Sequence, residues 1–309
     1  MRRVLPRTAM SAAVAALALM LTACNAQQGE PAPGGDVSEM VDEGEVAPNR
    51  YVALGDSYTA APLRLLPDEV KGCMRSKKNY PHLVAAELDN TELVDVSCSG
   101  ASTDSMFEAQ GFDYGEERRP PQLDALTPDT DLVTVSIGAN DFRLFRSMMI
   151  ECLDIAKTDP DGAPCRESNT RGERDRLERT IDRIEPRVRR VVDDIQERAP
   201  EARVLVVGYP RLLPATGSCP HRLPLATGDY DYARGLNERL AEAVRDGGIG
   251  AGAEYVNLYR ASKNHDICSE EPWIAGIRGA HHRAMGLHPY PREQEAVAEL
   301  ILDMVQPLF

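Results

Sequence analysis

Four short segments carry residue types that could act on a carbonyl group together. The first, Gly55-Asp56-Ser57-Tyr58-Thr59, holds a serine behind a glycine; the last, Leu287-His288-Pro289, holds a histidine. A serine hydroxyl is a weak nucleophile until a neighbouring base removes its proton, and a neutral imidazole suits that task near pH 7. Between them, Ser97-Cys98-Ser99-Gly100-Ala101 offers a backbone N–H that no side chain screens, and Gly138-Ala139-Asn140-Asp141 offers a side-chain amide. Those two donors, with the N–H of Ser57 itself, are what a developing oxyanion requires. The chemistry implied is nucleophilic attack by serine on a carbonyl carbon, with the oxyanion held by these donors. In isolation Gly-Asp-Ser is also an ordinary helix N-cap, so placement has to decide.

Five short apolar runs read as buried strands: Tyr51 to Leu54, Leu93 to Val96, Leu132 to Ile137, Arg203 to Val207, and Glu254 to Leu258. Helical stretches separate them. Tyr80 to Leu88 is one. Over Arg174 to Ala199, Leu177, Ile181, Ile184, Val188, Val191, Val192 and Ile195 repeat at three and four residues, which marks one apolar face. Pro186 is expected to kink or split that helix. Arg292 to Met304 reads as a closing helix, and Gly111 to Pro121 and Lys157 to Gly172 as surface loops. Alternating strands and helices predict an α/β fold with a parallel sheet covered on both faces, whose sites lie beyond the carboxyl ends of the strands. The serine, glycine and asparagine segments follow the first, second and third strands directly, and the histidine precedes the last helix. The serine is not the elbow of the α/β-hydrolases, since Thr59 stands where that motif needs glycine.

In these four segments, taken in the order Ser, Gly, Asn, His, the chain resembles the SGNH (GDSL) hydrolase superfamily. The nearer likeness is to its secreted actinobacterial esterase and lipase branch, over roughly residues 50–309. The resemblance implies a flavodoxin-like three-layer α/β/α fold with a parallel five-stranded sheet, and hydrolysis of acyl esters without metal or cofactor. It makes Ser57 the nucleophile and His288 the base, with Ser57, Gly100 and Asn140 as oxyanion donors. Many members place Asp three residues before the histidine. Met285 stands there in this chain, so a main-chain carbonyl, Met285 O, is expected to orient the ring, as in the actinobacterial branch. Tyr290 replaces a usual Asn, Glu293 a frequent Gly, and Ala61 another Gly.

The N-terminus reads as an export signal. Arg2, Arg3 and Arg7 precede an apolar run from Ala9 to Leu21 that is short for a membrane span. It ends in Leu21-Thr22-Ala23-Cys24, which resembles the lipobox of bacterial lipoproteins and makes Cys24 the lipidated first mature residue. Residues 1–23 are then a signal peptide, 24–49 a lipidated cysteine with a disordered tether rich in Pro, Gly and acidic residues, and 50–309 the hydrolase domain. The expected location is the outer face of the cell membrane, or the medium if the anchor is absent.

A formal net charge of −14 opposes binding to nucleic acid. The expected partner is a small acyl-ester or lipid substrate, and the expected state a monomer. Six cysteines remain beyond Cys24, an even set that suits disulfides in an exported protein. They permit fifteen pairings; the sequential one, Cys73–Cys98, Cys152–Cys165 and Cys219–Cys268, closes each loop outside the predicted strands. Three disulfides are also usual in the branch.

His281 and His282 lack the carboxylate spacing of a metal site and read as loop residues. His82 reads as structural, and His221 and His265 as surface residues. Asp56 is expected to tie the turn rather than to act as an acid, and Asp141 to cap the segment after Asn140. Phe142, Leu144, Phe145, Met148, Met149 and Ile150, with Leu63, Leu65 and Leu66, could line an acyl pocket or simply pack in the core. Two other readings stand beside the esterase: a carbohydrate deacetylase, to which a single tryptophan, Trp273, gives little stacking surface, and a non-catalytic envelope-binding lipoprotein on the same fold.

Overall fold

The structure, a computed structural model, describes residues 48–62, 72–111, 117–280 and 283–306. Cys24, the export segment and most of the tether lie outside those residues, as do Leu63, Leu65, Leu66, His281 and His282. All described residues belong to the second of two units, Gly44–Phe309.

Five strands make one sheet: β1 (Arg50–Gly55), β2 (Glu92–Asp95), β3 (Leu132–Ser136), β4 (Arg203–Val207) and β5 (Glu254–Val256). Their order is β2-β1-β3-β4-β5, and every neighbouring pair is parallel. The central strands are apolar without alternation because both faces are covered; Tyr51, Val52, Ala53 and Leu54 are all fully buried. The helices that matter for the site are α1 (Ser57–Ala60), α2 (Tyr80–Glu87), α3 (Asp104–Phe107), α4 (Ile184–Arg198), α5 (Tyr230–Gly250) and α6 (Pro291–Val305). Helix α2 packs against α6, and α4 against α5; with the sheet between, these pairs complete a three-layer α/β/α fold. From β1 the chain passes to β2 on one side, then returns to β3 on the other. The crevice where strand order reverses therefore opens between β1 and β3.

The apolar stripe over Arg174 to Ala199 is split, as expected, into two helices, Arg176–Ile181 and α4, which meet at Asp182 and Arg183. Pro186 is the third residue of α4, where a missing N–H removes no helical bond, so the break falls just before it. The structure departs from sequence expectation in two places. Helix α5, with 21 residues, was not anticipated. Glycine is a poor helix former, yet in α5 it permits close approach: a Cβ on Gly247 would lie 2.6 Å from Glu185 O, and one on Gly248 would lie 2.8 Å from Val206 Cγ2. The stretch from Lys157 to Gly172 is more than a loop. It contains a helix, Pro164–Asn169, whose first amides, those of Cys165 and Arg166, donate to the buried Asp229 carboxylate at 2.8 and 2.9 Å. The structure joins Cys73 to Cys98, Cys152 to Cys165 and Cys219 to Cys268.

Candidate active site

Strand β1 ends in Gly55, at φ 152°. A Cβ there would lie 2.2 Å from Thr59 Oγ1 and 2.9 Å from Ser136 O, so no other residue fits the turn. Asp56 then caps α1, its Oδ1 accepting the Tyr58 N–H at 2.8 Å. Burial raises the Asp56 carboxyl to about 7, while the Tyr209 hydroxyl, donating to Oδ2 at 2.6 Å, and the Tyr58 amide pull the other way. Asp56 is thus a turn-tying residue. Ser57 follows at the first helical position and keeps 8% of its surface exposed, whereas Asp56 and Thr59 keep none. First-turn amides have no partner inside a helix, and that of Ser57 donates to no acceptor among the described residues.

Two residues that fix this turn were not singled out from sequence. Gln122 grips the Gly55 peptide from both sides: the Gly55 N–H donates to its Oε1 at 2.7 Å, and its Nε2 donates to Gly55 O at 3.0 Å. Tyr209, just after β4, donates its hydroxyl to Asp56 and accepts the Ala139 N–H at 3.1 Å, joining the serine turn to the loop after β3. A lone Gln after two prolines and a Tyr in Gly-Tyr-Pro carry no local signal of such roles.

The loop after β2 is held by Cys98 N–H donating to Gly55 O at 3.0 Å and by the Cys73–Cys98 disulfide. Gly100 there has a φ of 81°, and among the described residues its amide donates to nothing. Asn140, after β3, donates one amide hydrogen to Ala101 O at 2.9 Å, which ties it to the Gly100 loop; the other has no acceptor among the described residues. Asp141 does not cap its own segment. Its carboxylate crosses to Thr103, accepting the backbone N–H at 2.8 Å and the hydroxyl at 2.7 Å, because burial demands partners that the short turn cannot supply. That burial raises its pKa, against the pull of the Thr103 bonds. Phe142 and Arg143 follow with φ of 52° and 61°, left-handed backbone that costs about 1–3 kcal/mol per residue.

His288 lies on the segment that enters α6, clamped where Ala275 N–H donates to His288 O at 3.0 Å and Tyr290 N–H donates to Trp273 O at 2.7 Å. Its Nδ1 donates to Gly286 O at 2.7 Å, not to Met285 O. Leu287, at φ 63°, turns the chain there, and Met285 O instead accepts the His288 backbone N–H at 3.3 Å. A carbonyl only accepts, so Nδ1 holds the proton and Nε2 keeps a free lone pair. Burial lowers the His288 pKa below its usual value, with the Gly286 bond opposing.

Tyr58 links this loop to the serine. Its hydroxyl donates to Leu287 O at 2.9 Å, and its ring centroid lies 6.0 Å from that of His288 and 5.4 Å from Tyr209, edge-on to the latter. Gln294, on α6, donates its Nε2 to Tyr58 O at 3.0 Å and accepts the Tyr80 N–H at 2.7 Å. Of the apolar residues after Asn140, Leu144, Met148 and Met149 are core residues, at most 2% exposed. Phe145 alone reaches the site rings, 6.2 Å from both Tyr58 and His288. Phe142 turns instead to Arg183 and Arg187. Away from the site, His82 Nδ1 pairs with Asn79 Oδ1 at 2.6 Å, and His221 is exposed. His265 is half-buried, stacked on Trp273 at 4.5 Å, rather than a plain surface residue.

A parallel α/β/α sheet with a helix-starting serine at its switch point is the frame of an SGNH-type ester hydrolase. The chain belongs to the GDSL-like Lipase/Acylhydrolase family, whose sequence pattern matches residues 53–294, and it is a carboxylic-ester hydrolase. It is similar to Lipase 2 of Streptomyces coelicolor, with 35% identity over 312 residues, covering 99% of this chain and 97% of that relative. An esterase of Streptomyces scabiei is 32% identical over 248 residues, covering 70% and 72%. The crystal structure of an extracellular lipase from Streptomyces rimosus superposes with a TM-score of 0.67 at 25% identity, over 84% of this chain and 99% of that one.

Proposed function

We propose that the chain cleaves lipid-like or small acyl esters with Ser57 as nucleophile and His288 as general base, outside the cell and anchored through a lipid on Cys24. The observation that carries the reading is the state of His288. Its Nδ1 proton is committed to Gly286 O, its Nε2 has no partner among the described residues, and its loop is tied by Tyr58 to the helix that Ser57 begins.

In the first step His288 Nε2 takes the Ser57 proton as Oγ bonds to the ester carbonyl carbon. The negative oxygen is met by the Ser57 and Gly100 amides and the second Asn140 hydrogen, each worth about 3 kcal/mol in the transition state. The imidazolium then returns its proton to the leaving alcohol. Water, deprotonated in turn by His288, releases the acid and restores Ser57. The relatives called lipase and esterase support acyl esters as the substrate class. Against a sugar-binding cleft stands Trp273, 8% exposed and already stacked on His265. Three disulfides suit an oxidising compartment, which supports export.

Hydrolysis of p-nitrophenyl butyrate by the purified protein should fall about a thousandfold or more in Ser57→Ala and in His288→Ala. Retained turnover in either variant would remove that residue from the mechanism. The position of Phe145 supports an acyl-binding role: p-nitrophenyl octanoate should be cleaved faster than the acetate, and Phe145→Ala should change that ratio. Equal rates on both esters, unchanged by the substitution, would exclude it. Intact-mass analysis of membrane-extracted protein should show diacylglycerol on Cys24; an unmodified chain would exclude the anchor.

A further inference from the structure

The two oxyanion donors that lie outside α1 sit on different loops, and one side chain far from Ser57 in sequence touches both loops. Arg187, on α4, donates through Nη1 to Thr103 Oγ1 at 3.0 Å and to Asp104 Oδ1 at 2.7 Å. Thr103 and Asp104 directly continue the Gly100 loop. The same nitrogen lies 3.9 Å from Asp141 Oδ2, and the guanidinium carbon lies 4.6 Å from the centre of the Phe142 ring. Asp141 and Phe142 directly follow Asn140. Arg183, the N-cap residue just before α4, sits 3.5 Å from the same ring centre.

We propose that Arg187 is a positioning residue for the oxyanion hole, a brace that sets the Gly100 loop and the Asn140 loop at the separation where their donors converge. The inference rests on the reading of Gly100 and Asn140 as oxyanion donors. Three features support it. The Asn140 turn needs holding, since Phe142 and Arg143 both occupy left-handed backbone. The charges that face Arg187 are the buried Asp141 carboxyl and the Asp104 carboxylate, so its removal would leave two acids near each other across the loops. A planar guanidinium can hydrogen-bond along its edge while its face rests on a ring, which an ammonium cannot do. Arg187 itself makes no contact with Ser57 or His288 among those described, so it acts through the donors.

The test is a double-mutant cycle on p-nitrophenyl butyrate, with near-ultraviolet circular dichroism confirming the fold of each variant. Arg187→Ala should lower kcat about tenfold to a hundredfold, the effect of misplacing a donor by about 1 Å, with KM changed less than about twofold. Arg187→Lys should recover part of the loss. In an Asn140→Ala background, Arg187→Ala should cost several-fold less than it does in wild type, because one of the two donors it places is gone. Phe142→Leu gives a second arm with a smaller loss and the same coupling, should Arg187→Ala not fold. If Asn140→Ala is slow while Arg187→Ala is as fast as wild type, or multiplies its full loss onto Asn140→Ala, the brace is wrong and the donor reading survives. If Asn140→Ala keeps its kcat, the donor reading falls and the brace with it.

Discussion

Glu293 should make the protein lose stability as pH rises through neutrality, and Glu293→Gln should remove its share of that loss. The residue stands in the first turn of α6, 1% exposed. Its Oε2 accepts from Gln294 Nε2 at 2.6 Å, while Oε1 is buried with no partner among the described residues. Burial raises its pKa from 4.5 to about 8. A carboxyl whose folded pKa lies above its unfolded value contributes fully below the unfolded value and loses that contribution as pH climbs to the folded one. Between those limits the slope is about 1.4 kcal/mol per pH unit, so wild type should lose roughly 4 kcal/mol relative to Glu293→Gln from pH 5 to pH 8. Asp56, at about 7, titrates in the same window but is present in both proteins and cancels in the difference. Urea unfolding of the oxidised proteins at half-unit pH steps measures this directly. A difference in unfolding free energy that stays flat from pH 5 to pH 8 would show that Glu293 is ionised at ordinary cost in the folded state.

Three further outcomes follow from the geometry. The kcat/KM profile should lose activity on its acid side with an inflection below pH 6.5, because His288 must be neutral and its pKa is lowered by burial; an inflection above 7 would contradict the burial of its ring. Gln122→Ala leaves the Gly55 N–H without its partner and the Gly55 C=O with the Cys98 N–H alone, and should destabilise the protein by about 1–3 kcal/mol and lower kcat; a shift in melting temperature too small to measure would show that water replaces it. Removing disulfides singly should cost most at Cys219–Cys268, separated by 49 residues, and least at Cys152–Cys165, separated by 13, with about 4 and 3 kcal/mol expected from loop entropy. The reverse order in urea titrations would indicate that native packing, not chain entropy, sets their value.

The sheet was legible because buried parallel strands are written as unbroken apolar runs, and each of the five expected runs overlaps one strand within a few residues. The Ser, Gly and Asn segments were legible for a related reason, since residues directly after strands must lie at one edge of the sheet. What sequence could not show depends on partners distant along the chain. Gln122 and Gly55 are joined across 67 residues, Tyr209 and Asp56 across 153, and Tyr58 and Leu287 across 229. The main-chain orienter of His288 was expected as a type but misplaced by one residue. The left-handed conformation of Leu287, which a leucine does not advertise, decides which carbonyl meets the ring. Helix α5 was missed because its glycines serve close packing, and a glycine that permits contact looks the same in sequence as one that ends a helix.

The most direct test of the proposed chemistry is covalent capture. Purified protein treated with a fluorophosphonate should gain one adduct, digestion should place it on the peptide containing Ser57, and Ser57→Ala should remain unmodified. An adduct on any other serine, or labelling that persists in Ser57→Ala, would contradict Ser57 as the nucleophile.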